Sequence, residues 1–376
     1  MNAVRRELFS KVNRIVIKLG SRLLVDLEGN GVNRRTITRM VGSIAKLRQE
    51  GKEVVLVTSG AVGNGMALLG LSKKPDRVSD KQACAAIGQT QLMMAYQKVA
   101  QRHGFHVGQI LCSADDFRDR TRYKNIKETV EALLRLGAVP VINENDSVAT
   151  TEIKVGDNDK LSADVSQFLG ADLLIIFTDE EGLFDKNPKE HSDAALIRLV
   201  HQVDSSIERL AGGLGSAIST GGMATKIAAA KQATEVGCAV VLASGFKVLP
   251  HWVVAGRNYG TLFMPAEKKS GSRHRWIRLI SNPKGKVVID SGAVAALVEK
   301  GRSLLPVGII KVEGRFAAGE IIEVRSSDGK AIARGIASWD SETVKRLQGL
   351  KSAEVKPLLG AGRPEEVIHR NNLALL

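Results

Sequence analysis

Five runs of aliphatic and β-branched residues punctuate the first two thirds of the chain: RIVIKLG (14–20), EVVLVTSG (53–60), GAVPVINEND (137–146), ADLLIIFTD (171–179) and CAVVLASG (238–245). Each is apolar almost without interruption and stops on Gly, Ser, Thr, Asn or Asp. A strand with one wet face alternates in polarity, so near-continuous apolar strands imply that both faces are covered, as in a parallel sheet between helices. The intervening stretches 80–102, 125–136 and 223–236 are long enough for right-handed helical crossovers. The expected fold is α/β, an open, mostly parallel sheet between helical layers. Ligands of such sheets bind beyond the carboxyl ends of the strands, where this chain concentrates its polar and glycine-rich residues.

From about residue 270 the pattern changes. KKSGSRHR (268–275) is polar, basic and small, and reads as a linker. KVVID, a short helical stretch at 291–300, then GIIKVEG, EIIEVRS and AIARGIAS alternate like the strands of a small β-rich module. The expected domains are 1–268, a catalytic α/β unit, a linker over 269–275, and a β-rich unit with its tail over 276–376. A chain of 376 residues suits two such cores. Its three cysteines, Cys84, Cys112 and Cys238, have neither zinc-site nor disulfide-scaffold spacing, which suits a reducing cytoplasm. No apolar run has the length of a signal peptide's core or a membrane span, so a cytoplasmic protein without membrane attachment is expected. The net charge of +14 is densest in 271–376, where 18 Lys and Arg face 11 Asp and Glu. That surplus makes RNA binding by the tail possible, although Trp276, Phe316 and Trp339 alone offer stacking surfaces there, which favours a structural or regulatory appendage.

The strand ends carry the chemistry. Lys18 stands just ahead of Gly20 and Ser21, where an ammonium could project over a backbone open to close approach. TSGAVGNG (58–65) offers small residues and free amides at a strand-to-helix turn, the geometry that receives anions. GGLGSAISTGGMATK (212–226) holds five glycines before a helix rich in Ala and Lys, so amides, helix dipole and Lys226 converge. VGDNDKLSADV (155–165) reads as a polar loop, because Asp and Asn disfavour element interiors, with Ser162 placed to cap a following helix. Two lysines, two anion sites and an acidic loop at one sheet edge point to phosphoryl transfer, in which cations and oriented amides stabilise the charge on the transferring oxygens. No Walker A loop, no GxGxxG after the first strand and no GxSxG elbow occurs, and the histidines form no nucleophile–base signature.

The segments IKLGS, VTSGAVGNG, GQTQL, PVINENDSVAT, EIKVGDNDKLSA, TDEEGLF and STGGMATK resemble, in order and spacing, the glutamate 5-kinase family. The resemblance runs from near Lys18 to the C-terminus and implies an amino acid kinase fold of about eight strands, followed by a PUA module that 276–355 match more loosely. It implies transfer from ATP to the γ-carboxylate of L-glutamate, the first step of proline biosynthesis, with Mg2+ held mainly by the nucleotide. A carboxylate is already ionised at neutral pH, so no general base is needed. By this resemblance Lys18 and Lys226 offset phosphate charge and Asp159 holds both lysines. Ser59, Asn143, Asp146, Asp157 and Asn158 would hold glutamate. Thr178, Asp179 and the loop Thr220, Gly221, Gly222, Met223, Ala224, Thr225 and Lys226 would contact ATP. Ser219 stands where the family usually has glycine. Feedback inhibition by proline and a homo-oligomer are implied as well. The alternatives are a sister kinase acting on N-acetylglutamate, aspartate or a carbamate, which would lack the INEND and GDND pair, and an RNA-associated role for the C-terminal module.

Overall fold

A computed structural model describes residues 2–26, 31–148, 157–212, 222–266, 277, 283–360 and 363–376. They form two compact units, Met1–Asp116 with Arg120–Lys269, and Ser270–Leu376 with Phe117–Asp119. The expected linker, 269–275, lies outside the described residues.

The first unit contains strands β1 (Arg14–Leu19), β2 (Val25–Asp26), β3 (Gly31–Val32), β4 (Glu53–Val57), β5 (Val107–Cys112), β6 (Val139–Glu144), β7 (Leu173–Thr178), β8 (Leu199–Val200), β9 (Ala239–Ser244) and β10 (Thr261–Phe263). Eight of them make one sheet in the order β5-β6-β4-β1-β7-β9-β10-β8. All its neighbours are parallel except β9 and β10. The five apolar runs are five of its six inner strands, β6, β4, β1, β7 and β9, as expected, and β7 and β9 are buried at every position. The two outer strands β5 and β8 and the antiparallel β10 escaped the sequence reading. At β5 only Cys112 is fully buried, so it lacks the apolar signal of a central strand. Strands β8 and β10 have two and three residues, too short to show a period.

Helices cover the sheet. The amphipathic helix Arg34–Gln49 buries Ile37, Met40, Val41, Ile44 and Leu47 in the core that also takes Ile15 and Ile17 of β1. Its first turn is capped by Asn33, whose side chain accepts from the Thr36 amide at 3.0 Å. Helices Ala61–Leu68 and Val78–Arg102 meet backbone to backbone. A Cβ added at Gly65 would stand 1.8 Å from the Cys84 carbonyl oxygen, and one at Gly88 would stand 1.9 Å from that of Ala61. Only glycine permits that approach, which holds the residue after Gly88 at a set depth above the sheet.

The second unit is a five-stranded sheet of β11 (Gly285–Ile289), β12 (Ile309–Gly314), β13 (Ile321–Ser326), β14 (Ala331–Ile336) and β15 (Leu373–Leu375), ordered β12-β11-β13-β14-β15. The first four follow the runs picked out in the sequence, and the helical stretch there is Ser291–Val298. Its core gathers Val287, Ile289, Leu304, Ile322, Val324 and Ile368. Phe316 lies in that core, and Trp339 is covered by the Arg363 guanidinium at 5.8 Å and donates its indole N–H to the Pro364 carbonyl. Neither is an open stacking surface for a base.

Candidate active site

Register places the sequence-predicted residues along one edge. Lys18 pairs with Val57 of β4 and with Ile176 of β7, and Val57 pairs with Ile142 of β6. Asn143, Ser59, Lys18, Gly20 and Thr178 therefore emerge at the carboxyl ends of four consecutive strands, β6, β4, β1 and β7. The amide of Thr58 continues the ladder to the Ile142 carbonyl, and that of Gly20 to Phe177.

Asp159 organises this edge. Its carboxylate is 1% exposed, with Oδ1 2.5 Å from Lys18 Nζ and Oδ2 3.2 Å from Lys226 Nζ. Lys18, 5% exposed, comes from β1, and Lys226 from the first turn of helix Met223–Thr234. Burial by itself would raise the Asp159 pKa, but Lys18, Lys226 and the Thr225 hydroxyl outweigh it and hold the group below the usual carboxylate range. Burial pushes the Lys18 ammonium down, Asp159 opposes that fall and Lys226 adds to it. One carboxylate thus keeps a buried cation, Lys18, and a partly buried one, Lys226, side by side, leaving a net positive charge where an anion would arrive.

The GDND segment corrects the sequence reading. Asp157 to Asp159 do not form a loop; they open helix Asp157–Leu169, where the dipole favours acidic residues in the first turn. Ser162 is no cap: it lies inside that helix, fully buried, and donates to the Asp159 carbonyl at 2.6 Å. Asn158 Oδ1 is buried and has no hydrogen-bond partner among the described residues. Asp146 is half-buried in the 3-10 turn Asp146–Val148 that follows β6.

On the β7 side, the Thr178 hydroxyl donates to Asp179 Oδ1 at 2.9 Å, and Arg22 donates to Asp179 Oδ2 at 2.6 Å. Burial opposes it, but these two donors lower the Asp179 pKa. Thr225, expected against the nucleotide, turns its hydroxyl to Asp159 Oδ2 at 2.7 Å, with the Gly222 carbonyl also near at 2.9 Å. Having one proton, that hydroxyl serves one acceptor at a time. Gly222 caps helix Met223–Thr234 without a side-chain bond to its amides, while Met223 and Ala224 begin its first turn. Thr220, Gly221 and Ser219 lie outside the described residues.

Three participants were missed by sequence reasoning: Arg22, Gln89 and Gln109. Asn143, 1% exposed, donates to Gln89 Oε1 at 2.8 Å, and Gln89 Nε2 donates to Gln109 Oε1 at 3.1 Å. Gln89 belongs to the GQTQL segment, which carried a resemblance but no role; nothing in its spacing reveals a partner 54 positions away.

The description "Amino acid kinase family" fits residues 13–244, and "PUA domain" fits residues 285–359. The chain is 49% identical over 374 residues to the glutamate 5-kinase of Trichlorobacter lovleyi, covering 99% of both chains. It is 44% identical to that of Pelobacter propionicus over 99% of this chain and 100% of that one, and 44% identical to that of Moorella thermoacetica over 98% and 97%. With the family match spanning more than half of its length and these relatives aligning from end to end, the chain belongs to the amino acid kinase family, among the glutamate 5-kinases.

Proposed function

We propose that this sheet edge transfers the γ-phosphoryl group of ATP to the γ-carboxylate of L-glutamate, with Lys18 and Lys226 as the cations that meet the transferring oxygens and Asp159 as the group that holds them. The observation that carries the reading is the Lys18–Asp159–Lys226 arrangement, centred on a buried carboxylate, at the carboxyl ends of the strands. The two lysines supply positive charge that is already in place, so little reorganisation is required as negative charge spreads in the transition state.

The residues suit a nucleotide. At Gly20 a Cβ would stand 3.3 Å from the Phe177 carbonyl and 3.7 Å from Lys18 Nζ, so glycine leaves room for phosphate beside that ammonium. The amides of Gly222, Met223 and Ala224 at the helix start favour an anion there. With Mg2+ held at the nucleotide, part of the negative charge of the phosphates would be neutralised before Lys18 and Lys226 meet it. Among the described residues no group of three or more His, Cys, Asp or Glu side chains is placed to grip an ion, so the phosphates and water would supply most of its ligands.

Glutamate would lie on the β4 and β6 side. The Asn143 amide and the Ser59 hydroxyl face carboxylate oxygens there, while Asp146 and Asn158 Oδ1 accept from the α-ammonium. A carboxylate nucleophile needs no proton removed, which matches an edge centred on two lysines and the aspartate paired with both. Proline shares the ammonium and carboxylate, so inhibition by proline would use the same acceptors.

Turnover with ATP, Mg2+ and L-glutamate in the presence of hydroxylamine, which traps an acyl phosphate as its hydroxamate, tests the reading. Glutamate is expected to yield hydroxamate where N-acetylglutamate and aspartate do not, and Lys226→Ala should lower kcat by about 10²–10³. No hydroxamate from glutamate would remove the assignment. Asp146→Ala should weaken glutamate and proline together; unchanged proline inhibition beside a large rise in glutamate KM would separate the two sites.

A further inference from the structure

The backbone amide of Glu144 donates to Asn143 Oδ1 at 2.9 Å. A backbone N–H is always a donor, so the atom facing it must be the side-chain oxygen, and the NH2 of Asn143 must point the other way. That NH2 meets Gln89 at 2.8 Å, which obliges Gln89 to present its oxygen and turns its own NH2 toward Gln109. One peptide group thereby sets the direction of three side-chain amides in series. The series runs from a buried end at Asn143 to an exposed end at Gln109, whose amide is free to adapt. Gln89 is itself only 8% exposed, and its depth is set by the close helix contact at its neighbour Gly88.

We infer that Gln89 is a positioning and specificity-determining residue for glutamate, acting through Asn143. With Oδ1 taken by Glu144 and one N–H by Gln89, the second N–H of Asn143 remains to donate. An amide held in that sense recognises an acceptor such as a carboxylate oxygen and disfavours a donor at the same place. The role assigned to Gln89 runs through its hydrogen bond to Asn143 and needs no contact with glutamate or ATP. The inference rests on Asn143 lying in the glutamate pocket, as proposed above.

Steady-state kinetics of the full chain, with hydroxamate as readout, test it in Gln89→Met, Gln89→Glu, Asn143→Ala and the double variant Gln89→Met/Asn143→Ala. Methionine matches glutamine in length but replaces the amide oxygen by a thioether, a far weaker acceptor for the Asn143 N–H. Gln89→Met is expected to raise the glutamate KM by about tenfold while the ATP KM and kcat stay within about threefold. Gln89→Glu keeps an acceptor toward Asn143, and the exposed Gln109 amide can turn to donate to it, so its glutamate KM should stay within about threefold of wild type. In the Asn143→Ala background, adding Gln89→Met should change nothing further, because the group it orients is gone. The inference is overturned if Gln89→Met leaves the glutamate KM unchanged, raises both substrates' KM alike, or acts by the same factor in both backgrounds. If instead Asn143→Ala alone leaves the glutamate KM at its wild-type value, the placement of glutamate against Asn143 fails first and the inference falls with it.

Discussion

Replacing Asp159 by asparagine removes one negative charge and one acceptor at nearly constant volume. In the native site that charge faces Lys18 at 2.5 Å and Lys226 at 3.2 Å in near-complete burial. A unit-charge pair about 4 Å apart contributes about 4 kcal/mol at an effective dielectric constant of about 20. Removing one partner of a buried pair typically costs about 3–5 kcal/mol, since the remaining cation is left uncompensated. Asparagine also sets donor against donor, because its NH2 would face Lys18 in one orientation and, in the other, Lys226 together with the Thr225 hydroxyl that now donates to Oδ2 at 2.7 Å. A loss of about 3 kcal/mol lowers the melting temperature of a unit this size by on the order of 10 °C. The pH dependence follows from sign. Asp159 titrates below its unfolded value of about 3.9, so its contribution is complete above that value and is lost as pH falls through the folded one. The melting gap between wild type and Asp159→Asn should therefore be full at pH 7 and close progressively below about pH 4. Differential scanning calorimetry from neutral to acid pH measures the gap, and the hydroxamate assay at neutral pH should show a loss of about 10²–10³ in kcat. Equal melting of the two proteins at pH 7, or a gap that stays constant down to acid pH, would refute the idea that the Asp159 charge holds the lysines.

Other outcomes follow from contacts in the same unit. Gly88→Ala would set a Cβ 1.9 Å from the Ala61 carbonyl oxygen, so the two helices must part; a loss of about 3 kcal/mol is expected in denaturant unfolding, with a raised glutamate KM because Gln89 moves with them. The fully buried Arg5 guanidinium donates to the carbonyls of Arg198, Arg257, Tyr259 and Gly260, so Arg5→Met should cost about 3 kcal/mol by orphaning acceptors, again read by unfolding, while leaving KM values unchanged. All three cysteines are buried, and burial with the nearby Asp116 and Glu144 pushes the Cys112 thiol up to about 12; Ellman's reagent should find no reactive thiol in the native protein and all three after unfolding.

Much of this protein is legible from its sequence because the deciding interactions are local. Near-continuous apolar runs ending in small polar residues report strands covered on both faces, and a strand's carboxyl end is known once the strand is, so the edge bearing Ser59, Asn143, Lys18 and Thr178 can be drawn before any coordinates. The family motifs at those ends then supply the substrate. What local pattern could not supply is which groups meet. Asp157 to Asp159 have the composition of a loop, yet the gain from acidic groups at a helix start, with two lysines waiting for Asp159, places them in the first turn of a helix. Lys18 and Asp159 stand far apart in the chain, and only the packing of helix Asp157–Leu169 against both β1 and helix Met223–Thr234 brings one carboxylate to two ammoniums. The direction of the Asn143 amide, on β6, is settled by a backbone N–H beside it and a glutamine from helix Val78–Arg102, held there because two glycines let that helix approach its neighbour. Propensity and pattern act over a few residues and so determine strands, helices and their ends; burial, charge pairing and hydrogen-bond direction act across the sheet, and only the tertiary structure decides them.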